Sequence, residues 1–230
     1  MLNDADPVES RATSYTTVPA GRDFRSELEI RRSRFITVLR RTDSEDAARS
    51  LVTELRKEFH DARHHCSAFV LGADRDVQRS NDDGEPSGSA GLPMLEALLK
   101  RETATGGTDL SDVAAVVVRY FGGILLGTGG LVRAYSDSVS TALDEVPLVR
   151  RQRLRLCTVA VAHAEAGRLE NELRTSGYLL AQTSYEASAA VLTLALEDDP
   201  QAASEAADRI ATLTSGAATV VRGGTEWVDG

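Results

Sequence analysis

The stretch LRLCTVAVAHAEAGRLENELRTSGYLLAQTSYEASAAVLTLAL, residues 154–196, decides the fold class of the C-terminal part of the chain. Residues 154–161 alternate apolar and polar side chains with the period of a strand, and Leu169 and Leu173 stand four positions apart, which is helical spacing. Gly177 follows at a position where helices commonly end. We predict strands at 154–161, 178–185, 190–196 and 218–228, and helices at 164–176 and 202–214. Their order is the βαββαβ order of a ferredoxin-like domain.

The N-terminal part has a different pattern. Residues 24–31 and 34–41 alternate apolar and charged side chains, which predicts two strands that turn at Arg32-Ser33. Further strands are predicted at 64–71, 77–79 and 113–118, and helices after an N-cap at Asp43-Ser44, at 92–100 and at 131–143. Pro147 and a run of arginines then mark a boundary. We therefore expect an α+β protein of two domains, with a flexible N-terminal arm at 1–22, a first domain at 23–148 and a second at 152–230.

The composition limits the class of protein. The 230 residues are 42% hydrophobic, the proportion of a globular chain with a core. The formal net charge of −9 excludes a uniformly basic nucleic-acid-binding coat but leaves a local basic patch open. The two cysteines lie far apart, and no apolar run approaches the ~20 residues of a membrane span. We expect a cytoplasmic protein without membrane contact.

The string SNDDGEPSGSAG, residues 80–91, is predicted to be a loop, and three interpretations stay open. Its three acids could bind a hard cation, although the residue order of an EF-hand is absent. Its serines and glycine amides could instead hold an oxyanion. A rigid surface turn, in which the acids satisfy local amides, would explain the same composition. The candidate binding residues are Ser80, Asp82, Asp83, Gly84, Glu85, Ser87 and Ser89.

A second glycine-rich loop lies in RYFGGILLGTGGLVRAYSD, residues 119–137, between a predicted strand and a predicted helix. The amides at such a helix start could bind an anion, while glycines that permit close strand–helix packing would give the same pattern. The glycine spacing matches neither common nucleotide-binding motif. Arg119 and Arg133 could face this loop and hold a phosphate or an acidic partner. The other candidates are Tyr120, Gly122, Gly123, Gly127, Gly129 and Gly130.

Two further clusters each have a structural and a functional interpretation. In DARHHCSAF, residues 61–69, His64 and Cys66 share one face of a predicted strand and could form a nucleophile pair. No oxyanion motif accompanies them, and buried cysteine and histidine are common in cores. The predicted hairpin carries a basic cluster that is either a charged sheet edge or a contact face for the phosphates of a nucleic acid. Its members are Arg31, Arg32, Arg34, Arg40 and Arg41.

These motifs together resemble the IMPACT / YigZ family. The resemblance rests on DARHHCSAF, RSNDDGEPSGSAGLPM and VVVRYFGGILLGTGGLVRAYSD, and it spans residues 34–143. The domain order is similar to that of bacterial members over nearly the whole chain. The sequence departs from the family pattern at Asn81 and at Ser89, where the family has threonine and the hydroxyl is kept.

The resemblance implies a first domain with the fold shared by ribosomal small-subunit domains, elongation factor G domain IV and GHMP-type kinases. It implies a second domain like domain V of elongation factor G, and contact with the ribosome, RNA or a translation-associated protein. Eukaryotic members regulate translation under amino-acid stress by binding the activator of an initiation-factor kinase, a role that need not apply to bacterial members. Some bacterial members carry a peptidase label, but this sequence shows no paired metal-carboxylate or nucleophile pattern to support it.

Two functional hypotheses follow. The first is a non-enzymatic, translation-linked binding protein without a cofactor, metal or catalytic residue, which makes contact through the two loops, His64, Arg119 and Arg133. The second is an enzyme, a hydrolase or transferase, that acts on a small phosphorylated or peptide-like substrate at the same loops. An apolar cleft with convergent polar groups would favour the enzyme, and an exposed mixed patch would favour the binding protein. In both cases we expect the loops to lie side by side and Arg119 to pair with an acid of the first loop.

Overall fold

The computed structural model describes residues 11–230 and confirms the predicted α+β class. The chain divides into two compact units, one ending at Arg150 and one beginning at Arg151. The elements up to this division are β1 (Ser14–Thr17), β2 (Phe24–Ile30), β3 (Ser33–Arg41), α1 (Glu45–Glu58), β4 (His64–Leu71), β5 (Val77–Asn81), α2 (Gly91–Leu99), β6 (Val113–Tyr120) and α3 (Thr128–Glu145). The remaining elements are β7 (Val149–Val161), α4 (His163–Thr175), β8 (Leu179–Tyr185), β9 (Ala190–Glu197), α5 (Pro200–Leu213) and β10 (Val220–Asp229).

The main sheet of the first unit is buried on both faces. Its antiparallel strands lie in the order β2-β3-β6-β4-β5, which places β6 at the centre. Helices α2 and α3 cover one face, where Met94 and Tyr135 pack with Phe35. Helix α1 covers the other face through Leu51 and its neighbours. A strand that is covered on both faces has no solvent side, which explains the unbroken apolar run at residues 113–118.

Alternation along β6 separates two adjacent candidate residues. Successive side chains of a strand point to opposite faces of the sheet. Val117 belongs to the core under α2 and α3, and Arg119, two positions later, lies on the same face. Tyr120 packs against the core under α1. Arg119 and Tyr120 therefore cannot serve the same site.

The second unit is the predicted ferredoxin-like domain. Its antiparallel sheet has the order β10-β7-β9-β8, and the chain passes through it as βαββαβ. Leu169 and Leu173, the pair that predicted a helix, are fully buried against Leu192 and Leu194 of β9. Helix α5 adds Ile210 to the same core. Each apolar helix stripe therefore packs against one face of the sheet.

Several predicted boundaries need correction. The arm predicted at 1–22 is wrong for Ser14–Thr17, which form β1, and Tyr15 is buried there. Residues 1–10 of that arm lie outside the described residues. The loop predicted at 80–91 is shorter, because β5 extends to Asn81 and α2 begins at Gly91. Helix α3 begins at Thr128, three residues before its predicted start.

The predicted domain limits leave residues 149–151 as a connection, whereas β7 runs through them as one strand. Among residues 11–230, no helix is long and apolar enough to cross a membrane.

Candidate functional site

Asp82 organises the first glycine-rich loop from within. Its carboxylate accepts hydrogen bonds from the backbone amides of Gly88 (2.8 Å), Ala90 (3.0 Å) and Gly91 (2.8 Å). Helix α2 has no capping hydrogen bond from the side chain of its own N-cap residue, so Asp82 satisfies amides at its start. Burial raises the pKa of Asp82, but these three amides outweigh it and the pKa lies below its ordinary value.

Asp83 fastens the same loop to its surroundings. Its carboxylate accepts from the backbone amide of His65 at 2.6 Å and from the Arg56 guanidinium. The side chain of Asn81, at one of the departures from the family pattern, accepts from the Asp83 amide at 2.8 Å. The acids of the loop are thus engaged by amides and arginines, which matches the rigid-turn interpretation. No cluster of three or more His, Cys, Asp or Glu that could hold a metal ion occurs among residues 11–230.

Glu85 is the acid of the first loop that forms an ion pair with Arg119. Arg119 Nη1 donates to Glu85 Oε1 at 2.6 Å, which confirms the predicted ion pair and identifies the acid. The Tyr135 hydroxyl donates to the same oxygen at 2.7 Å, and His64 Nε2 lies 4.0 Å from it. The Arg119 guanidinium lies against the Phe121 ring, with 5.8 Å between its carbon and the ring centroid. Both members of the pair are buried. Through its bonds to Arg119 and Tyr135, Glu85 joins the first loop to β6 and α3.

The two glycine-rich loops lie side by side, as predicted, and border one depression of about 400 Å³. We call it the loop pocket. Its lining consists of Arg63, His64, Glu85, Pro86, Arg119, Phe121, Leu125, Leu126, Gly127, Thr128 and Leu131. Phe121 is 52% exposed and Leu125 is 82% exposed, so apolar side chains form an open rim around the buried ion pair. Apolar residues left so exposed are characteristic of contact surfaces when they cluster.

The glycines of the second loop have different physical roles. A Cβ on Gly122 would lie 2.0 Å from the carbonyl carbon of Arg32, so only glycine allows this close approach to the β2–β3 turn. Gly127 has a φ of +71° and is the N-cap residue of α3. Gly129 and Gly130 lie in the first turn of that helix. This turn has no side-chain cap and no acidic residue, which leaves its amides open to an anion.

Other sequence candidates lie away from the loop pocket. Tyr120 is on the opposite sheet face, where its hydroxyl donates to Asp61 at 2.7 Å. Arg133 is exposed on α3 and does not line the loop pocket. Ser80 pairs with Ala68 within the sheet.

The remaining loop residues serve the loop itself. Ser89 is buried and its hydroxyl donates to the Pro86 carbonyl, while Ser87 is exposed. Gly84 and Gly123 occupy positive-φ positions.

Two of the five arginines of the basic cluster are paired with acids of their own unit. Arg34 makes two hydrogen bonds to Glu27, and Arg40 makes two to Asp23 and an ion pair with Glu54. Arg31 and Arg32 are exposed in the turn, and Arg41 is partly buried at the end of β3. These contacts favour the charged sheet edge over a contact face for phosphates.

Cys66 is held as a neutral thiol. Burial raises its pKa to about 12 despite the hydrogen bond with Tyr135, and its Sγ lies 3.0 Å from the Asp82 carbonyl oxygen. A thiol with this pKa is not a nucleophile at neutral pH. His64 Nδ1 lies 2.9 Å from the Asp83 carbonyl oxygen, so the Nδ1 edge of its ring contacts the first loop. The geometry therefore gives no support to a Cys–His catalytic pair.

The sequence reasoning missed seven lining residues of the loop pocket, which are Arg63, Pro86, Phe121, Leu125, Leu126, Thr128 and Leu131. It also missed Tyr135, which does not line the pocket but bonds Glu85. The signal for Phe121 and Leu125 was available, because large apolar side chains within a run of glycines have few neighbours to bury them. Tyr135 stands four residues after Leu131 on the apolar face of the predicted helix, where it is indistinguishable from an ordinary core aromatic. Its role depends on a tertiary contact with Glu85.

Comparison with known proteins agrees with this architecture. Residues 31–143 match the Impact N-terminal domain, and residues 159–217 match a domain of unknown function (DUF1949). The chain is 40% identical to IMPACT family member YvyE of Bacillus subtilis over 91% of each protein. It is 43% identical to IMPACT family member YigZ of Escherichia coli, over 69% of this chain and 76% of that protein.

A crystal structure described as that of a hypothetical protein is 36% identical, with a TM-score of 0.58 and coverage of 91% of this chain and 97% of its own. From the two domain matches and the identity to these relatives, the chain belongs to the IMPACT family.

Proposed function

We propose that the protein is a non-enzymatic, cytoplasmic, translation-linked regulatory protein that binds the ribosome or a ribosome-associated factor through the loop pocket. Membership of the IMPACT family supports a regulatory, translation-linked role in general. The binding surface itself is proposed from the geometry of the first unit.

One observation carries the choice of binding over catalysis. The loop pocket combines an exposed apolar rim with a buried ion pair in which Glu85 is held by Arg119 and Tyr135, and the Cys66 thiol, outside the pocket lining, is kept neutral by burial. An active site needs a nucleophile or a base that is free to act on a substrate. A partner surface needs apolar anchors with a fixed polar centre, and Phe121, Leu125 and the ion pair provide these.

The proposal is tested by sedimentation of the purified chain with bacterial ribosomes through a sucrose cushion. Ribosomes isolated at low salt retain their associated factors, and salt-washed ribosomes do not, so comparing them separates the two kinds of partner. Leu125→Asp should abolish co-sedimentation, because it places a charge on the apolar rim. Leu179→Asp is the matched control, since Leu179 is also an exposed leucine, at 54%, but lies in the second unit.

Failure of the wild-type chain to sediment with either ribosome preparation would contradict the proposal. Equal sedimentation of the Leu125→Asp and Leu179→Asp variants would contradict the assignment of the surface.

A further inference from the structure

The charges that line the loop pocket leave a positive excess. Arg63 and Arg119 contribute two positive charges and Glu85 contributes one negative charge. Glu85 is already bonded to Arg119 and Tyr135. The Arg119 side chain is only 8% exposed, and its buried Nε has no hydrogen-bond partner among the described residues. Because the Arg119–Glu85 pair is neutral as a whole, the excess positive charge lies at the exposed Arg63, and a negatively charged group is favoured in the pocket beside it.

The N-terminus of α3 adds to the same preference. Gly127 and Thr128 line the pocket, and the first turn of the helix carries neither a side-chain cap nor an acid. The amides at the start of a helix have no partner within it, and the helix dipole gives them a partial positive charge. An acceptor with a full negative charge, such as a carboxylate, satisfies both conditions.

Gly129 has no structural role that explains its presence in the second position of α3. Its φ is not positive, and a Cβ built on it meets nothing within 4 Å. Glycine is also less favourable than alanine in a helix. The absence of a side chain leaves the backbone amides open, since a Cβ in a helix tilts toward the N-terminal end. This is the end that borders the loop pocket.

The apolar rim separates the possible classes of partner. Leu125 is 82% exposed beside these anion-binding groups, and a phosphate chain offers no apolar group to cover it. A single-stranded nucleic acid would be expected to follow a basic groove. On the nearby hairpin, Arg34 and Arg40 are paired with acids, which leaves Arg31 and Arg32 of the turn as exposed basic residues. The combination of apolar and anion-binding groups matches a polypeptide with acidic and apolar side chains.

We infer that the loop pocket binds an acidic segment of a partner protein. A carboxylate of that segment lies at the start of α3 beside Arg63 and Arg119, and a neighbouring apolar side chain packs on Phe121 and Leu125. This inference rests on the proposed function, because it names the chemical class of partner for the same surface.

Selection of random short peptides displayed on phage against the immobilised full chain tests the inference. The enriched peptides should carry Asp or Glu within a few residues of Leu, Ile or Phe. Replacing that acid by its amide should weaken binding about tenfold in fluorescence anisotropy, the loss expected for one charge-assisted hydrogen bond.

Gly129→Ala should weaken binding to a similar extent while the thermal midpoint stays equal or rises. Gly167→Ala in α4, where a Cβ also meets nothing within 4 Å, is the matched control and should leave peptide affinity unchanged.

The inference fails if no peptide is enriched, if the enriched peptides lack acids, or if Gly129→Ala binds them as the wild type does. It also fails if a short single-stranded RNA displaces the peptide and the Leu125→Asp variant binds that RNA more weakly than the wild type does. That result would make the partner a nucleic acid. If sedimentation with ribosomes depends on Leu125 but the peptide selection fails, the proposed function stands. Only the inference that the partner segment is acidic is then rejected.

Discussion

At the scale of single residues, Arg119 and Glu85 each have side chains more than nine-tenths buried, at 8% and 4% exposure. A charge in such a setting is tolerated only while its partner remains, because removing one member leaves the other without compensation. Tyr135 adds a second donor to Glu85, and the Phe35 ring centroid lies 5.5 Å from the Arg119 guanidinium carbon. The pair is therefore a part of the core as well as the centre of the loop pocket.

Arg119→Leu should lower the free energy of unfolding of the first unit by ~3–5 kcal/mol, the cost of leaving one charge buried and unpaired. Urea denaturation followed by circular dichroism measures this. Arg133→Leu is the matched control, because Arg133 is exposed on α3 and should change stability by no more than ~0.5 kcal/mol. A loss of less than about 1 kcal/mol in Arg119→Leu would show that the pair is not structurally required.

At the scale of elements, the start of α2 depends on a residue eight positions before its N-cap residue. Ala90 provides no side-chain hydrogen bond there, and Asp82 accepts from the amides of Ala90 and Gly91. A carboxylate is also a favourable neighbour for the positive end of the helix dipole. The first loop and α2 consequently share one stabilising group.

Asp82→Asn should destabilise the first unit by ~1–3 kcal/mol, because the amide lacks the charge that strengthens three hydrogen bonds. The pKa of Asp82 is lowered by those bonds against the opposing effect of burial. A lowered pKa in the folded state contributes stability above the unfolded value of ~3.9 and loses it as the pH falls through the folded value. The wild type should therefore lose this contribution below about pH 4, whereas Asp82→Asn should lack it at every pH.

Denaturation curves collected across the acid range test this expectation. Asp76→Asn, at an exposed position just before β5, is the matched control and should behave as the wild type. Identical acid profiles for the wild type and Asp82→Asn would contradict the role of the carboxylate.

The contact between the second loop and the β2–β3 turn leaves no space for a side chain at Gly122. Gly122→Ala would bring a Cβ to within 2.5 Å of Ser33 N as well as against the Arg32 carbonyl, so backbone must move. We expect the free energy of unfolding to fall by ~1–3 kcal/mol, as for other overpacked sites. Gly129→Ala, seven residues later, should instead gain up to ~1 kcal/mol from helix propensity. If Gly122→Ala and Gly129→Ala changed the free energy of unfolding in the same direction, this expectation would be contradicted.

At the scale of the whole molecule, the core of the second unit is built from its own residues. Leu169, Leu192 and Ile210 belong to a cluster whose members all follow residue 156. We propose that the fragment 149–230, which includes the whole of β7, folds by itself. It should show a cooperative thermal transition, and Ile210→Asp, which places a charge at a fully buried position, should remove it. A fragment without a cooperative transition would contradict the proposal.

The period of apolar residues predicted most elements because each helix and strand packs one face or both against a sheet. It identified the helix of Leu169 and Leu173 and the unbroken apolar run of β6, and both are buried as the pattern requires. It missed β1, since Ser14–Thr17 is short and polar and is held through contacts such as the bond from the Thr16 amide to the Asp109 carbonyl. A segment held by residues far along the chain has no local signal.

The candidate site was predicted in position but only partly in detail. The prediction that the two loops lie side by side agrees with the structure, and the crowded acids required a counter-charge, which Arg119 supplies. The choice of Glu85 over Asp82 or Asp83 could not be made from spacing, because it depends on which amides the two aspartates take. The opposite placement of Tyr120 follows from strand alternation and was available from the sequence.

The contacts of Glu85 also set an order of events during synthesis. Its partners Arg119 and Tyr135 follow it by 34 and 50 residues, so a nascent chain cannot complete the contacts of Glu85 until both have left the ribosomal exit tunnel. Contacts of such sequence separation require the closure of long chain segments and form slowly. A ribosome-bound chain stalled before residue 119 should therefore expose the acidic loop to a protease that spares it in the finished protein.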